Sequence, residues 1–332
     1  MNFYDFTKEK LEEYFTHQGE NKAKAEILYK AIYRNKKTVE EITELSPKTK
    51  DKLLCDFSFA LPNIIALQDS GDSAKALIEL GDKSKVETVL MRHKFGAGLC
   101  VSTQVGCAMN CAFCQSGKLK KRRDLTAGEM VSQVLVMARE NPINHISVMG
   151  IGEPLDNFDN VKTFLEILSS PYGFAFGNRH ITISTCGVVP MIERLREINC
   201  GFNLAISLHA PNDEIRSRFM PVNRRWGINE LMTAIRKYSK SEKKRIAFEY
   251  ILLDDINDSY EQAEELTELI EGIDCFVNLI PYNQTEGSDF KPSSRSDEFF
   301  RQLRSNGVNA IFRRKFGEGI NAACGQLSSK YD

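Results

Sequence analysis

Residues 99–114, LCVSTQVGCAMNCAFC, lead from a β-rich run into three cysteines, Cys107, Cys111 and Cys114, of the nine in the 332-residue chain. A strand that delivers reactive side chains to the loop after it is the arrangement of a βα barrel, whose functional groups gather at the carboxyl ends of its strands. The chain downstream keeps that pattern. TAGEMVSQVLVMAREN follows the quoted strand, NVKTFLEILSS follows HISVMGI, VPMIERLREI follows HITISTC, and INELMTAIRKYS follows NLAISLHA. IAFEYILL, CFVNLI and NAIFRRK continue the series, with EQAEELTELIEG and DEFFRQLRSNG between them. Repeated βα units predict an α/β fold with a parallel sheet, closed or partly closed into a barrel.

Upstream, LEEYF, AEILYKAIY, TVEEITEL and KTKDKLLCDF read as short amphipathic helices, so residues 1–72 are expected to form a small helical domain. AKALIEL and KVETVLM flank Gly81-Asp82-Lys83-Ser84, which predicts a β-hairpin linker over 73–95. The core then spans 96–332.

Hydrophobic residues make up 42% of the chain and charged residues 27%, ordinary proportions for a globular protein with a sizeable core. No run of about 18 apolar residues occurs, and MNFYDFTKEK lacks the apolar stretch of a secretory signal. The expected compartment is the cytoplasm, with no membrane partner. A reducing compartment disfavours permanent disulfides and leaves an odd number of cysteines for metal or catalytic work. A net charge of −1 gives no overall attraction to nucleic acid, yet basic residues cluster at Lys118, Lys120, Lys121, Arg122 and Arg123, at Arg224 and Arg225, and at Arg313, Arg314 and Lys315.

The spacing C-x3-C-x2-C supplies three thiolates from one loop. A structural zinc ion takes four ligands, commonly as two separated pairs, and no second C-x2-C or H-x3-5-H pair lies nearby. On a 4Fe-4S cluster, three thiolates leave one iron open to a small molecule. With Phe113 before the last cysteine, the stretch resembles the C-x3-C-x-Φ-C signature of the radical S-adenosylmethionine superfamily. That resemblance implies a partial (β/α)6 barrel, one 4Fe-4S cluster on Cys107, Cys111 and Cys114, and S-adenosylmethionine as the source of a 5′-deoxyadenosyl radical. MGIGEP, with Gly152 and Glu153 after a strand, resembles the superfamily's GGEP-type segment, in which a carboxylate can pair with the cofactor's ammonium.

GLCVSTQVGC, GIGEPLDN, ISTCGVVP, SLHAPND, NLIPYN and NAACGQL occur in order over about residues 75–328. Together they resemble the RlmN/Cfr family of RNA adenine methyltransferases. Carbon 2 or 8 of adenine is too poor a nucleophile to take a methyl group directly from S-adenosylmethionine, and a cysteine provides the way round. The resemblance implies that Cys324 carries a methyl group which, after loss of a hydrogen atom, adds to the ring, using two S-adenosylmethionine per turnover. It implies that Cys100 attacks Cys324 to release the product through a transient disulfide, and that Glu87 removes the ring proton. Ser184, Ser207, Leu208, His209 and Asn283 match positions that line the cofactor. On the residues alone, Glu87 reads as an exposed strand carboxylate and His209 as a satisfied barrel histidine. Cys55, Cys186, Cys200 and Cys275 read as small buried hydrophobes.

GEPL and the doubled alanine of AACGQL look more like the carbon 2 group. That implies 23S rRNA near the peptidyl transferase centre, and tRNA beside the anticodon, as substrates, with flavodoxin or ferredoxin as electron donor. CQSGK and Asn321 depart from the family's usual residues and bear on regiospecificity. A Cfr-like carbon 8 methyltransferase conferring antibiotic resistance, and a non-catalytic metal-stabilised RNA-binding protein, are the alternatives. KLKKRR, directly after the cysteine loop, is expected to face RNA phosphate, and the helical unit to extend that footprint. The target base must be exposed or flipped.

Overall fold

The computed structural model describes residues 1–94, 96–139, 141–198, 201–242, 244–284, 287–313, 320 and 325–327. The side chains of Thr7 and Ser46 accept backbone N–H groups of Lys10 and Thr49 and so start α1 (Lys8–His17) and α3 (Pro47–Asp56), with α2 (Ala23–Tyr29) between them. Phe3 stacks on Phe59 and Tyr33, with ring centroids 4.7 and 5.9 Å away. Tyr33 in turn meets Phe174 at 4.9 Å, which carries this aromatic core into the larger body of the molecule.

The helical segment ends at Asp56. Residues 63–69, expected within the helical unit, instead form β1 (Asn63–Asp69), which pairs antiparallel with β2 (Ser73–Glu79). Two adjacent isoleucines favour extended chain there, and the ladder to β2 satisfies the backbone of an edge strand whose side chains are largely exposed. The predicted hairpin forms between β2 and β3 (Lys85–His93), and β3 pairs antiparallel with β4 (Gly96–Cys100). A two-stranded ribbon of β5 (Gln104–Val105) and β6 (Arg123–Asp124) stands apart.

From β4 onward the main sheet is parallel. It runs through β7 (Ile143–Val148), β8 (Ile181–Thr185), β9 (Asn203–Ser207), β10 (Ile246–Leu252), β11 (Cys275–Pro281) and β12 (Ala310–Phe312) in chain order, ten strands in all with the hairpin. Crossovers carry α4 (Ala127–Met137), α5 (Phe158–Ser169), α6 (Val189–Glu197), the short α7 (Asp213–Phe219) with α8 (Ile228–Glu242), α9 (Tyr260–Leu269) and α10 (Ser296–Ser305). Capping boxes at Thr126/Glu129 and Ser259/Gln262 start α4 and α9. Every residue of β10 is buried, as a strand covered on both faces requires. Strictly sequential strand order puts all the parallel carboxyl ends on one rim, the arrangement of a partial barrel. Asp5 Oδ1 accepts the N–H of Gly128 at 2.6 Å in the first turn of α4, where a helix favours negative charge, and so ties the N-terminal segment to the barrel. Among the described residues no helix is long and apolar enough to cross a membrane.

Candidate active site

The loop after β4 places the three thiols. Gly106, at φ 79°, brings the backbone so close to Lys120 that a Cβ would lie 2.2 Å from its carbonyl oxygen, and Cys107 follows at once. The N–H of Cys114 donates to the carbonyl of Cys111 at 3.1 Å, and that of Ala112 to Phe219 at 2.9 Å. Phe113, the aromatic of the motif, packs edge-on against His209 (4.9 Å) and Phe219 (5.8 Å) and pins the loop to the barrel. Cys107, Cys111 and Cys114 thereby line one cavity of about 160 Å³.

Gly152, Glu153, Ser184, Ser207 and His209, predicted from three different stretches, line that same cavity. Gly152 sits at φ 108°, where a Cβ would come within 2.6 Å of Gln104, so only glycine lets the turn close there. Glu153 is 4% exposed; its carboxylate accepts the N–H groups of Leu155 (3.0 Å) and Cys186 (2.8 Å). Burial raises its pKa against the pull of these donors. His209 adopts φ 61°, and its Nδ1 accepts the N–H of Ile251 at 3.1 Å. Burial, then the Arg216 guanidinium, push its pKa down to about 3, so the ring is neutral. Leu208 is fully buried and takes part through its backbone: its N–H donates to the carbonyl of Glu249, and its carbonyl accepts from Arg216 Nε. Asn283 is half-buried beyond the end of β11 and is not among the described residues lining the cavity.

Three residues of the site were not singled out by the sequence as functional. Arg216 is completely buried, and its guanidinium donates to the carbonyls of Cys186 (2.6 Å), Ser207 (3.0 Å) and Leu208 (2.9 Å) and to Asn223 Oδ1 (2.9 Å). It clamps the ends of β8 and β9 where they meet the cavity. Cys186, read as a small buried hydrophobe, lines the cavity, and its backbone N–H is one of the two that donate to Glu153. Glu249 lines it too, held by Asn278 (2.9 Å) and ion-paired to Arg313 (3.3 Å); a lone carboxylate within the apolar run IAFEYILL was its one signal.

Of the other cysteines, Cys55 is exposed and Cys275 half-buried, so the expectation of buried hydrophobes fails for both; Cys200 lies outside the described residues. Among the described residues no disulfide joins two cysteines. Glu87 is not exposed either: it is wholly buried and ion-paired to Lys75 at 3.4 Å. Antiparallel pairing of β2 with β3 covers it, an arrangement that its local sequence does not encode.

Cys324 lies outside the described residues, whereas Ile320 before it and Gly325 to Leu327 after it are described. Gly325 lines the thiol cavity and its carbonyl accepts the N–H of Gln115 at 2.7 Å. Leu327 forms a small buried cluster with Cys100, Val89 and Ile151, against which Ile320 packs. Leu327 and Ile320, which bracket Cys324 in the sequence, thus both meet the cluster that holds Cys100.

Burial raises the Cys107 thiol to about 12 and shifts Cys111 in the same direction, so these groups would release protons on binding iron. The three thiols, all from one loop, share a cavity, a donor set that fits a cubane with one thiolate on each of three irons.

The basic run divides. Lys121 is bound to Asp124 (2.8 Å) and Asp156 (2.7 Å), and Arg123 to Asp82 and Glu129. Lys120 and Arg122 are exposed.

The sequence pattern of the Radical SAM superfamily matches residues 101–270. A probable dual-specificity RNA methyltransferase RlmN from Spiroplasma citri is 44% identical over 99% of this chain and 97% of its own. Its counterpart from Acholeplasma laidlawii is 43% identical over 99% of each. A solved radical SAM methyltransferase from Sphaerobacter thermophilus superposes with a TM-score of 0.94 over 99% of this chain and 100% of its own, at 39% identity.

Proposed function

Because the chain belongs to the Radical SAM superfamily and, within it, to the RlmN-type RNA methyltransferases, we propose that it methylates carbon 2 of an adenine in 23S rRNA near the peptidyl transferase centre, and of an adenine beside the anticodon of tRNA. The observation that carries this reading is the meeting, on one barrel rim, of the thiol loop, Glu153 and Gly325, the residue after Cys324.

Cys107, Cys111 and Cys114 would hold the 4Fe-4S cluster, which with S-adenosylmethionine supplies a radical able to remove a hydrogen atom. Glu153 receives the ammonium of S-adenosylmethionine, a charge that offsets the burial of its carboxylate. Ser184, Ser207 and the neutral His209 offer hydrogen bonds to the rest of the cofactor, with Leu208 contributing through its backbone and Asn283 from the rim. Cys324 carries the methyl group to the adenine, Glu87 takes the ring proton, and Cys100 attacks the sulfur of Cys324 to free the product. Leu327, in one buried cluster with Cys100, and Ile320, packed against that cluster, support that pairing of thiols. Two S-adenosylmethionine are used per turnover, flavodoxin or ferredoxin supplies the electron, and the enzyme works in the cytoplasm. Residues 1–72 serve as an accessory RNA-binding domain.

Anaerobic reconstitution with iron and sulfide is expected to give about four irons per chain and cleavage of S-adenosylmethionine. Mass spectrometry of RNA treated with the enzyme is expected to show 2-methyladenosine. Finding 8-methyladenosine would replace the carbon 2 assignment with the Cfr-like one, and a zinc-loaded protein without cleavage would sink the enzymatic reading.

A further inference from the structure

A second cleft, of about 1050 Å³, lies between the N-terminal segment and the barrel. Ile143, which starts β7, and His180, which precedes β8, line it, so it opens at the amino ends of these strands while the thiols sit at the carboxyl ends. Its wall holds four cations, Arg34, Lys36, Lys37 and Arg139, against a single carboxylate, Glu40, among the described residues. Arg34 and Lys36 each give one donor to a backbone carbonyl, of Pro171 and Ala138, and none of the four is ion-paired among the described residues.

Aromatic rings stand beside the charges. Phe174 and Phe176 lie 6.0 Å apart at 33°, with Ala175 between them at φ 57°, a left-handed conformation that a non-glycine residue adopts at a cost. Tyr33, on the same wall, is 3% exposed, and its hydroxyl has no hydrogen-bond partner among the described residues. Buried hydroxyls ordinarily have one, and because this oxygen is sealed from the cleft as it stands, a ligand would complete it only with a small shift of the ring.

We propose that the cleft binds one nucleotide of a single RNA strand, with its phosphate on Lys37 and Arg139, its base against Phe174 and Phe176, and a hydrogen bond from Tyr33. Cations beside half-buried rings at the wall of a cleft, with few carboxylates, are a combination that can hold single-stranded nucleic acid. The inference rests on RNA being the substrate, and adds that the RNA is gripped on the far side of the barrel from the chemistry. Strands of five or six residues rise about 3.3 Å per residue, which separates the two sites by about 20 Å along the barrel. An RNA that reaches both must wrap round it.

The test titrates the full chain with a fluorescent single-stranded RNA oligonucleotide and, separately, with adenosine monophosphate. Relative to wild type, Lys37→Ala with Arg139→Ala is expected to weaken oligonucleotide binding at least fivefold and to lower its salt slope by about one or two, as the loss of one or two bound phosphates requires. Tyr33→Phe is expected to weaken it about threefold while leaving the melting temperature equal or higher, an outcome that a purely structural hydroxyl would not give. Oligonucleotide affinity that ignores all three substitutions in folded protein overturns the site. Tight binding of the mononucleotide that depends on the same residues and displaces the oligonucleotide assigns the cleft to a free nucleotide and overturns the RNA proposal. Methyladenosine formed by an enzyme indifferent to these substitutions rejects the cleft and keeps the proposed function; substitution-sensitive RNA binding without methyladenosine does the reverse.

Discussion

The hydroxyl of Ser116 donates to the carbonyl of Leu327 at 2.7 Å, joining the thiol loop to a segment 211 residues away. With the bond from Gln115 to Gly325, it fastens both ends of a short stretch just beyond Cys324. Removing the hydroxyl leaves a buried carbonyl unpaired, at about 1–3 kcal/mol. Ser116→Ala is therefore expected to slow RNA methylation about tenfold, since about 1.4 kcal/mol is a factor of ten, while RNA-independent cleavage of S-adenosylmethionine persists. Equal loss of both would show that the bond serves the thiol loop itself.

Cys100→Ala is expected to trap the RNA on Cys324, visible as a protein–RNA band on a denaturing gel that Cys324→Ala abolishes. Free methylated RNA at normal turnover from the Cys100 variant would refute the resolving role.

Arg216 holds four oxygens with one buried guanidinium. Arg216→Met leaves them unpaired, and is expected to destabilise the iron-free protein by at least about 3 kcal/mol, as hydrogen bonds to charged groups contribute about 1.5–3 each. Arg216→Lys should recover little, because an ammonium lacks the planar fork of donors. Urea unfolding measures both; a fully rescued lysine variant would reduce Arg216 to a simple buried charge.

For His209 the effect of pH has a definite sign. Its folded pKa, lowered to about 3, lies below that of an unfolded histidine, about 6.5. The unfolded chain binds the proton first, so stability falls as pH drops from about 6.5 towards 3, by at most about 1.4 kcal/mol per pH unit. His209→Asn suits the left-handed backbone and should flatten that slope in urea unfolding between about pH 7 and 5. A slope as steep as that of wild type would trace the acid sensitivity to another group.

Neutralising Lys120 and Arg122 is expected to weaken RNA binding and to reduce its salt slope by about one for each phosphate no longer neutralised. Lys121→Ala should act differently. Its ammonium already spans Asp124 and Asp156, so its loss would loosen the loop with little change in salt dependence. Equal salt effects from Lys120 and Lys121 would contradict this division.

Spacing and alternation are local properties, and the sequence carried them. Cys107, Cys111, Phe113 and Cys114 announced the cavity wall, and the βα alternation announced the sequential parallel sheet that brings Gly152, Glu153, Ser184, Ser207 and His209 to the same rim. Partnership was decided by the tertiary structure alone. Arg216, in the polar helix DEIRSRF, resembles a solvated helix cation until the carbonyls of Cys186, Ser207 and Leu208 close around it. Glu87 resembles an exposed strand carboxylate until β2 brings Lys75, and Lys121 and Arg123 resemble free phosphate ligands until Asp156 and Asp82 take them. Whether a charge meets water or a counter-charge depends on segments distant in the chain, and those pairings exist only once the sheet has assembled.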